Sequence, residues 1–268
     1  MVVIGEHYQI TGEARAITSI ELSDKDKELI ATARKMSKKV IGVLNFARPM
    51  ALESVIDKFD AVIYAWHCGS HTGSAVADIL FGKCSPSGRL PVTLPRSTGQ
   101  IPIYYNSTPP GKYTGFGYYT DKASPQAYCD CLATPMYPFG YGLNYSEFEY
   151  SDIVVEKKIL SLSEIQEGKT FDVSVKVKNV GTVKAKEVVQ CYIRDYYASM
   201  TRPIKELKGF EKTECNPGEV KSISFKIGLK ELGFYGKNGK YAVEPGEFKI
   251  FVGRDCMCEK HVTVSVTK

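Results

Sequence analysis

Residues 2–23 read VVIGEHYQITGEARAITSIELS, and this stretch decides the fold class. Val2, Val3 and Ile4 form a short β-branched apolar run, the signature of a buried strand. The run stops at Gly5 and gives way to a polar loop carrying Glu6, His7, Tyr8, Glu13 and Arg15. In an open α/β sheet, ligand sites form just beyond the carboxyl ends of the strands. The loop is therefore the first candidate site, although acidic side chains in a loop are mostly solvated or salt-bridged.

The same alternation continues outward. Ser23 precedes DKDKELIATARKM, with Asp26 three residues on, an acidic variant of the capping box. Leu29, Ala33 and Met36 fall at i, i+4 and i+7, which predicts a helix burying that stripe. Val40–Phe46 reads as a second buried strand, ended by Ala47, Arg48 and Pro49. A shorter helix is expected over Ala51–Phe59 and a third strand over Ala61–Trp66. The turn His67–Ser74 then leads into a helix AVADILFG. Strands alternating with helices imply right-handed crossovers and a parallel sheet covered on both faces.

From Gly82 to Tyr150 the chain is rich in Pro, Gly and Tyr, which predicts edge strand and loop that pack as a connector. Beyond Ser151 the pattern alternates. FDVSVKVKN, EVVQCYIRD, IKELKGFEK, VKSISFKI, EFKIFVG and HVTVSVT read as short strands separated by turns such as Asn216-Pro217-Gly218. Six or seven such strands predict an immunoglobulin-like or fibronectin-like sandwich. The fold class is thus α/β, a partial parallel-sheet α/β sandwich domain, followed by an all-β fibronectin type III-like sandwich. The domains expected are 1–150 and 151–268, and no residue of the second stands out as a site.

Composition narrows the function. With 268 residues, 43% apolar and 24% charged, the chain can build two soluble cores. The net charge of +5 is small and the lysines are dispersed, so no nucleic-acid footprint is present. No apolar run approaches the ~18 residues that span a bilayer, and the N-terminus as written lacks the pattern of an export signal. These features predict neither a nucleic-acid nor a membrane partner.

Among eight cysteines, the close pairs Cys129 with Cys131 and Cys256 with Cys258 are separated by one residue each and lie far apart. That spacing is not a zinc pattern, so neither metal nor cofactor is expected. Cys68, Cys84 and Cys191 sit in or near apolar segments, where free cysteine is often a small buried side chain. The turn Gly69–Ser74 has the position of an anion-binding helix start but lacks a P-loop lysine and the dinucleotide glycine spacing, so a tight strand-to-helix turn is the simpler reading. Ser70 and Ser74 do not fit the GxSxG frame of a serine hydrolase, and His71 reads as a hydrogen-bonded loop residue.

The ordered segments GEHYQITGEARA, ARPMAL, AWHCGSHTGSAVADILFG, SPSGRLPVTLPRSTGQIPIYYN, YPFGYGLNYSEFEYSDI and MTRPIKELKGFEK resemble the C-terminal half of family 3 glycoside hydrolases, the β-glucosidase and β-xylosidase type. The resemblance covers essentially the whole chain. It implies that residues 1–150 are the later part of that family's α/β sandwich, lacking its first strands, and that a fibronectin type III-like domain follows. It also implies a (β/α)8 barrel, absent from these residues, that carries an Asp nucleophile. No SDW-like nucleophile motif is present, since Trp66 is preceded by Ala65.

By motif position the resemblance makes Glu13 the catalytic acid/base, gives Glu6 the task of holding the loop, and places Arg48 in a Gly-Arg-Pro turn in which Ala47 replaces Gly. It names no substrate-binding residue. Ile17 stands where many relatives have Arg and His71 where they have Glu, departures that remove charge partners, while Ser23 and Asp26 replace a Pro and a Gln. One carboxyl can transfer protons but cannot follow the covalent route alone. The function implied is the C-terminal portion of a retaining β-glucosidase-like hydrolase acting on a β-glycoside or oligosaccharide, completed by a separate barrel chain or within a homo-oligomer. The alternatives are a non-catalytic carbohydrate-binding or interaction module and an inactive remnant. An apolar docking face on the α/β part is expected, and full-length relatives are often periplasmic or secreted.

Overall fold

The computed structural model describes residues 1–108 and 128–268, so the segment 109–127 of the expected connector lies outside the described residues. The chain divides into two compact units. Among the described residues, the first comprises 1–84, 92–103 and 128–137, and the second 85–91, 104–108 and 138–268.

In the first unit, β1 (Val2–Gly5), β2 (Ile41–Asn45) and β3 (Ala61–Tyr64) form a parallel sheet in the order β1-β2-β3. Val3 pairs with Val43, and Val43 with Ile63. The middle strand β2 is buried at Gly42, Val43 and Leu44. A Cβ on Gly42 would come within 2.8 Å of the Phe59 ring, so any side chain there would force the ring to shift. Covering of the sheet is less complete than expected. Val2 and Ile4 of β1 are buried but Val3 is 52% exposed, and β3 is only half-buried.

Helix α1 (Asp24–Met36) is capped by Ser23, whose hydroxyl accepts from the Asp26 amide. Its buried side chain is Ile30, flanked on the same face by half-buried Asp26, Lys27, Ala33 and Arg34. The expected stripe is therefore corrected. Ala33 packs on the core, whereas Leu29 is 49% and Met36 82% exposed, because Ile30 fixes the helix rotation.

The stretch 51–59 is not an α-helix. The amides of Val55, Lys58 and Phe59 reach back three residues, and only the turn Ile56–Lys58 is helical, of the 3-10 kind. Ala51, Leu52 and Val55 are core residues held by packing, with no run long enough to offset helix nucleation. After β3, Gly69 takes a positive φ of 67° and α2 (Thr72–Leu80) begins, the tight strand-to-helix turn expected. Cys68 and Cys84 flank this segment and are exposed, not buried, since both lie in turns. Cys191 is buried as expected.

The second unit is the sandwich. One sheet has the order β10-β7-β4, with β5 also on β7, from β4 (Phe148–Tyr150), β5 (Val154–Val155), β7 (Phe171–Asn179) and β10 (Val220–Ile227). The other runs β6-β14-β13-β8-β9, from β6 (Ile159–Ser161), β8 (Ala185–Asp195), β9 (Glu206–Cys215), β13 (Gly246–Gly253) and β14 (His261–Thr267). Short helices α3 (Leu162–Gln166) and α4 (Leu229–Leu232) and a small hairpin, β11 (Phe234–Tyr235) with β12 (Tyr241–Ala242), complete it. All six strands read from alternation are present. Phe171, Val173, Val175 and Val177 of β7 point inward every second residue, the period a one-sided strand requires.

Strand β8 departs from alternation because Val188–Ile193 are all buried. The buried polar side chains of Glu187 and Gln190 are satisfied internally. Glu187 accepts from Arg89 at 2.7 Å, Asn144 at 3.1 Å and Tyr150 at 2.7 Å, while Gln190 donates to Gly140 O at 3.0 Å. These bonds join residues 85–91 and 138–150 of the connector to the sandwich.

Candidate functional site

The loop after β1 is built by a buried ion pair. Strand β1 delivers Glu6 with its side chain 2% exposed, and the loop after β2 delivers Arg48. The Glu6 carboxylate accepts from the Ala47 amide at 2.8 Å and from Arg48 Nη1. The other arm of the guanidinium, Nη2, donates to the carbonyls of Ile10, at 2.8 Å, and Arg15. Arg48 thus grips both sides of the segment Thr11–Ala14.

At the tip of that segment Gly12 has φ +106° and Ala14 φ +57°. The left-handed backbone costs an alanine about 1 kcal/mol or more and is held by the surrounding hydrogen bonds. Glu13 stands between them, exposed, and its carboxylate has no hydrogen-bond or ion-pair partner among the described residues. The remainder of the loop is tied locally. His7 Nδ1 accepts from the Gln9 amide at 3.3 Å, and the Arg15 amide donates to Gly12 O at 3.3 Å.

A third strand end supports the clamp. Tyr64, the last residue of β3, donates its hydroxyl to Arg48 O and accepts from the Met50 amide at 3.0 Å. Burial raises the Tyr64 phenol well above its ordinary pKa, with the Glu6 charge acting in the same direction. Its ring lies 4.4 Å from that of Trp66, which has φ +53°. Asn45 Oδ1, at the end of β2, is buried without a partner among the described residues. All of these groups sit at the carboxyl ends of parallel strands, where the sheet rule places a site.

Glu6 holds the loop, the task the resemblance gave it, and Arg48, which the resemblance placed only in a turn, is the other half of the clamp. His71 is exposed beside α2, its carbonyl accepting from Ser74 Oγ at 3.0 Å, and Ile17 packs on the core, so neither meets the clamp through a side-chain bond. Tyr64 and Asn45 were not legible as site residues, since their roles depend on partners in neighbouring loops. No group of three His, Cys, Asp or Glu side chains able to hold a metal occurs among the described residues, and no helix there is long and apolar enough to cross a membrane.

A carboxylate-bearing loop beyond a parallel α/β sheet, followed by an antiparallel sandwich, is the arrangement of the C-terminal parts of certain glycosidases. The chain belongs to glycosyl hydrolase family 3. Residues 1–145 match the glycosyl hydrolase family 3 C-terminal domain and residues 187–256 a fibronectin type III-like domain. It is 40% identical over 255 residues, 94% of its own length and 32% of the relative's, to a periplasmic beta-glucosidase of Salmonella typhimurium. It is 42% identical over 250 residues, 93% of its length and 31% of the relative's, to a putative beta-xylosidase of Formosa agariphila. The crystal structure of a beta-glucosidase from Listeria innocua in complex with glucose superposes with a TM-score of 0.89 at 33% identity, covering 100% of this chain and 36% of that one. The chain spans about a third of the length of these relatives.

Proposed function

We propose that this chain supplies the general acid/base of a retaining β-glycosidase, with Glu13 as the proton-transferring carboxyl. The observation that carries the reading is the Arg48 clamp, which presents Glu13 at a loop tip with its carboxylate unengaged among the described residues. In such a reaction the carboxyl protonates the glycosidic oxygen as the bond to C1 breaks, and the carboxylate then takes a proton from the water that attacks the glycosyl intermediate. The nucleophile would be a second carboxylate about 5 to 5.5 Å away, carried by the barrel that the resemblance assigns to such enzymes.

That partner also matters for protonation. A general acid keeps its proton near neutral pH when water is excluded or another negative charge is close. The exposed apolar side chains of the first unit, including Val3, Leu29, Met36 and Phe81, suit a surface that a further domain covers. The names of the relatives make β-glucosides or β-xylosides the substrate class.

The test is hydrolysis of an aryl β-glucoside and an aryl β-xyloside by this chain joined to the rest of the Listeria innocua enzyme in place of the matched segment. Turnover by the chimera, lost in Glu13→Gln while the fold persists by circular dichroism, supports the reading. Undiminished turnover in Glu13→Gln rejects it.

A further inference from the structure

Among the described residues, two that are not glycine take a positive φ, Ala14 at +57° and Trp66 at +53°. Ala14 adjoins Glu13 at the loop tip. Trp66 follows the end of β3, where the ladder runs one bond past the strand, the Ala65 amide donating to Leu44 O at 2.8 Å, before the chain turns. Glycine enters the left-handed region freely, but a side chain as bulky as tryptophan is an outlier there. Such residues persist where their surroundings over-determine them, and they gather at functional sites.

A continuous set of contacts, all within the first unit, runs from one to the other. The Trp66 indole lies 4.4 Å from the Tyr64 ring, the two planes 44° apart. The Tyr64 hydroxyl donates to Arg48 O and accepts from the Met50 amide at 3.0 Å, so one side chain fixes the backbone on both sides of Pro49. From that root the Arg48 guanidinium reaches out, and Nη2 donates to Ile10 O at 2.8 Å and to Arg15 O. The Arg15 amide donates to Gly12 O at 3.3 Å, which closes the tip around Glu13 and Ala14. The far side of the Pro49 turn is anchored separately, since Met50 is buried and the Ala51 amide donates to Ile20 O at 2.9 Å. Tyr64 therefore acts on the Arg48 side of the turn.

We infer that Tyr64 and Trp66 are positioning residues for Glu13. Trp66 holds the Tyr64 ring, Tyr64 holds the root of Arg48, and Arg48 holds the loop; the inference rests on the acid/base reading of Glu13. A phenol has one proton to give, and that of Tyr64 is committed to Arg48 O, so Tyr64 acts through Arg48 and not on the substrate.

Amide nitrogen relaxation in the full chain tests the holding, and kinetics of the chimera test its consequence. Tyr64→Phe keeps the ring and loses both hydrogen bonds, whereas Trp66→Gly loses the ring and takes the same φ without strain. In both variants the order parameters of the Glu13 and Ala14 amides should fall from about 0.85 toward about 0.6, with Val43 and Ile63 of the sheet unchanged, and Trp66→Phe should restore them. In the chimera, Tyr64→Phe should lower kcat for an alkyl β-glucoside roughly 10- to 100-fold at unchanged KM. The loss should be much smaller on 2,4-dinitrophenyl β-glucoside, whose leaving group needs no proton. Unchanged order at Glu13 and Ala14, a loss of order that extends to Val43 and Ile63, or equal kinetic losses on the two substrates would overturn the inference. Glu13→Gln, measured alongside, separates the two claims. Equal losses in Glu13→Gln reject the acid/base reading and a positioning role with it, while a leaving-group-dependent loss confined to Glu13→Gln overturns the positioning alone.

Discussion

Arg48 is ion-paired to Glu6 across two strand ends, and the pair is out of water: the two side chains are 20% and 2% exposed. Because the same guanidinium also holds Ile10 and Arg15 through their carbonyls, the pair sets the shape of the Glu13 loop. Removing one partner of a buried pair leaves an uncompensated charge, so Glu6→Ala is expected to lower stability by about 3–5 kcal/mol. Arg48→Lys keeps the charge but not the fork that reaches three acceptors. Urea denaturation of both variants checks this, and a loss below ~1 kcal/mol in Glu6→Ala would show the pair to be weakly coupled.

Arg89 and Glu187 form a second buried pair, with side chains 8% and 3% exposed, which joins the connector to β8. Arg89 Nε has no partner among the described residues, so Glu187 is the group that offsets its burial. Glu187→Ala is expected to cost about 3–5 kcal/mol, and Glu187→Gln less, because the amide still accepts from Tyr150 or Asn144. Thermal unfolding followed by circular dichroism separates the two.

Three tyrosines, Tyr192 buried and Tyr64 and Tyr150 half-buried, predict the alkaline limit of the fold. Burial raises the phenols of Tyr64, Tyr150 and Tyr192, and the Glu187 charge adds to the effect at Tyr150. A raised folded-state pKa means that the native state keeps a proton the unfolded chain releases. The stability this contributes is complete below about pH 10, the unfolded value, and is lost as pH rises toward the folded values. Ultraviolet titration should show these phenols ionising only as the protein unfolds. Their ionisation in a folded sample near pH 10 would contradict the burial described.

At the acid end, Glu164 should titrate near pH 2. It closes the capping box of α3 by accepting from the Ser161 amide at 2.8 Å, and Lys157 and Lys169 lie at 2.7 and 3.0 Å. Its carboxyl is lowered to about 2, first by the Lys157 hydrogen bond and then by Ser161 and Lys169. The stability linked to it is present above the unfolded carboxyl value of about 4.3 and is lost as pH falls through about 2. Carboxyl NMR of Lys157→Ala should show the midpoint moving upward. An unmoved midpoint would remove Lys157 as the main cause.

Much of the fold was legible because it rests on local pattern. The alternation in 171–179 and 220–227 gave strands with the observed bounds, and Ser23 marked the start of α1. Apolar spacing misled where two faces competed. Leu29 and Met36 share a stripe on paper, but Ile30 is the side chain the sheet accepts. In 51–59, apolar residues at helical spacing serve as plugs in the core and not as a helix face. The clamp was only half-visible. Its residues lie 33 to 42 positions apart in sequence, and the family motif, not local spacing, singled out Glu6, Glu13 and Arg48.

The central claim is that Glu13 transfers the proton to the leaving group, and its most direct test is the dependence of rate on that group. The chimera and its Glu13→Gln variant are compared on 2,4-dinitrophenyl β-glucoside, whose leaving group needs no proton, and on an alkyl β-glucoside, whose leaving group does. General acid assistance contributes about 10²- to 10⁴-fold, so the variant should lose that much in kcat/KM on the alkyl substrate and far less on the dinitrophenyl one. Equal losses on both, or no loss on the alkyl glucoside, would contradict the assignment of Glu13.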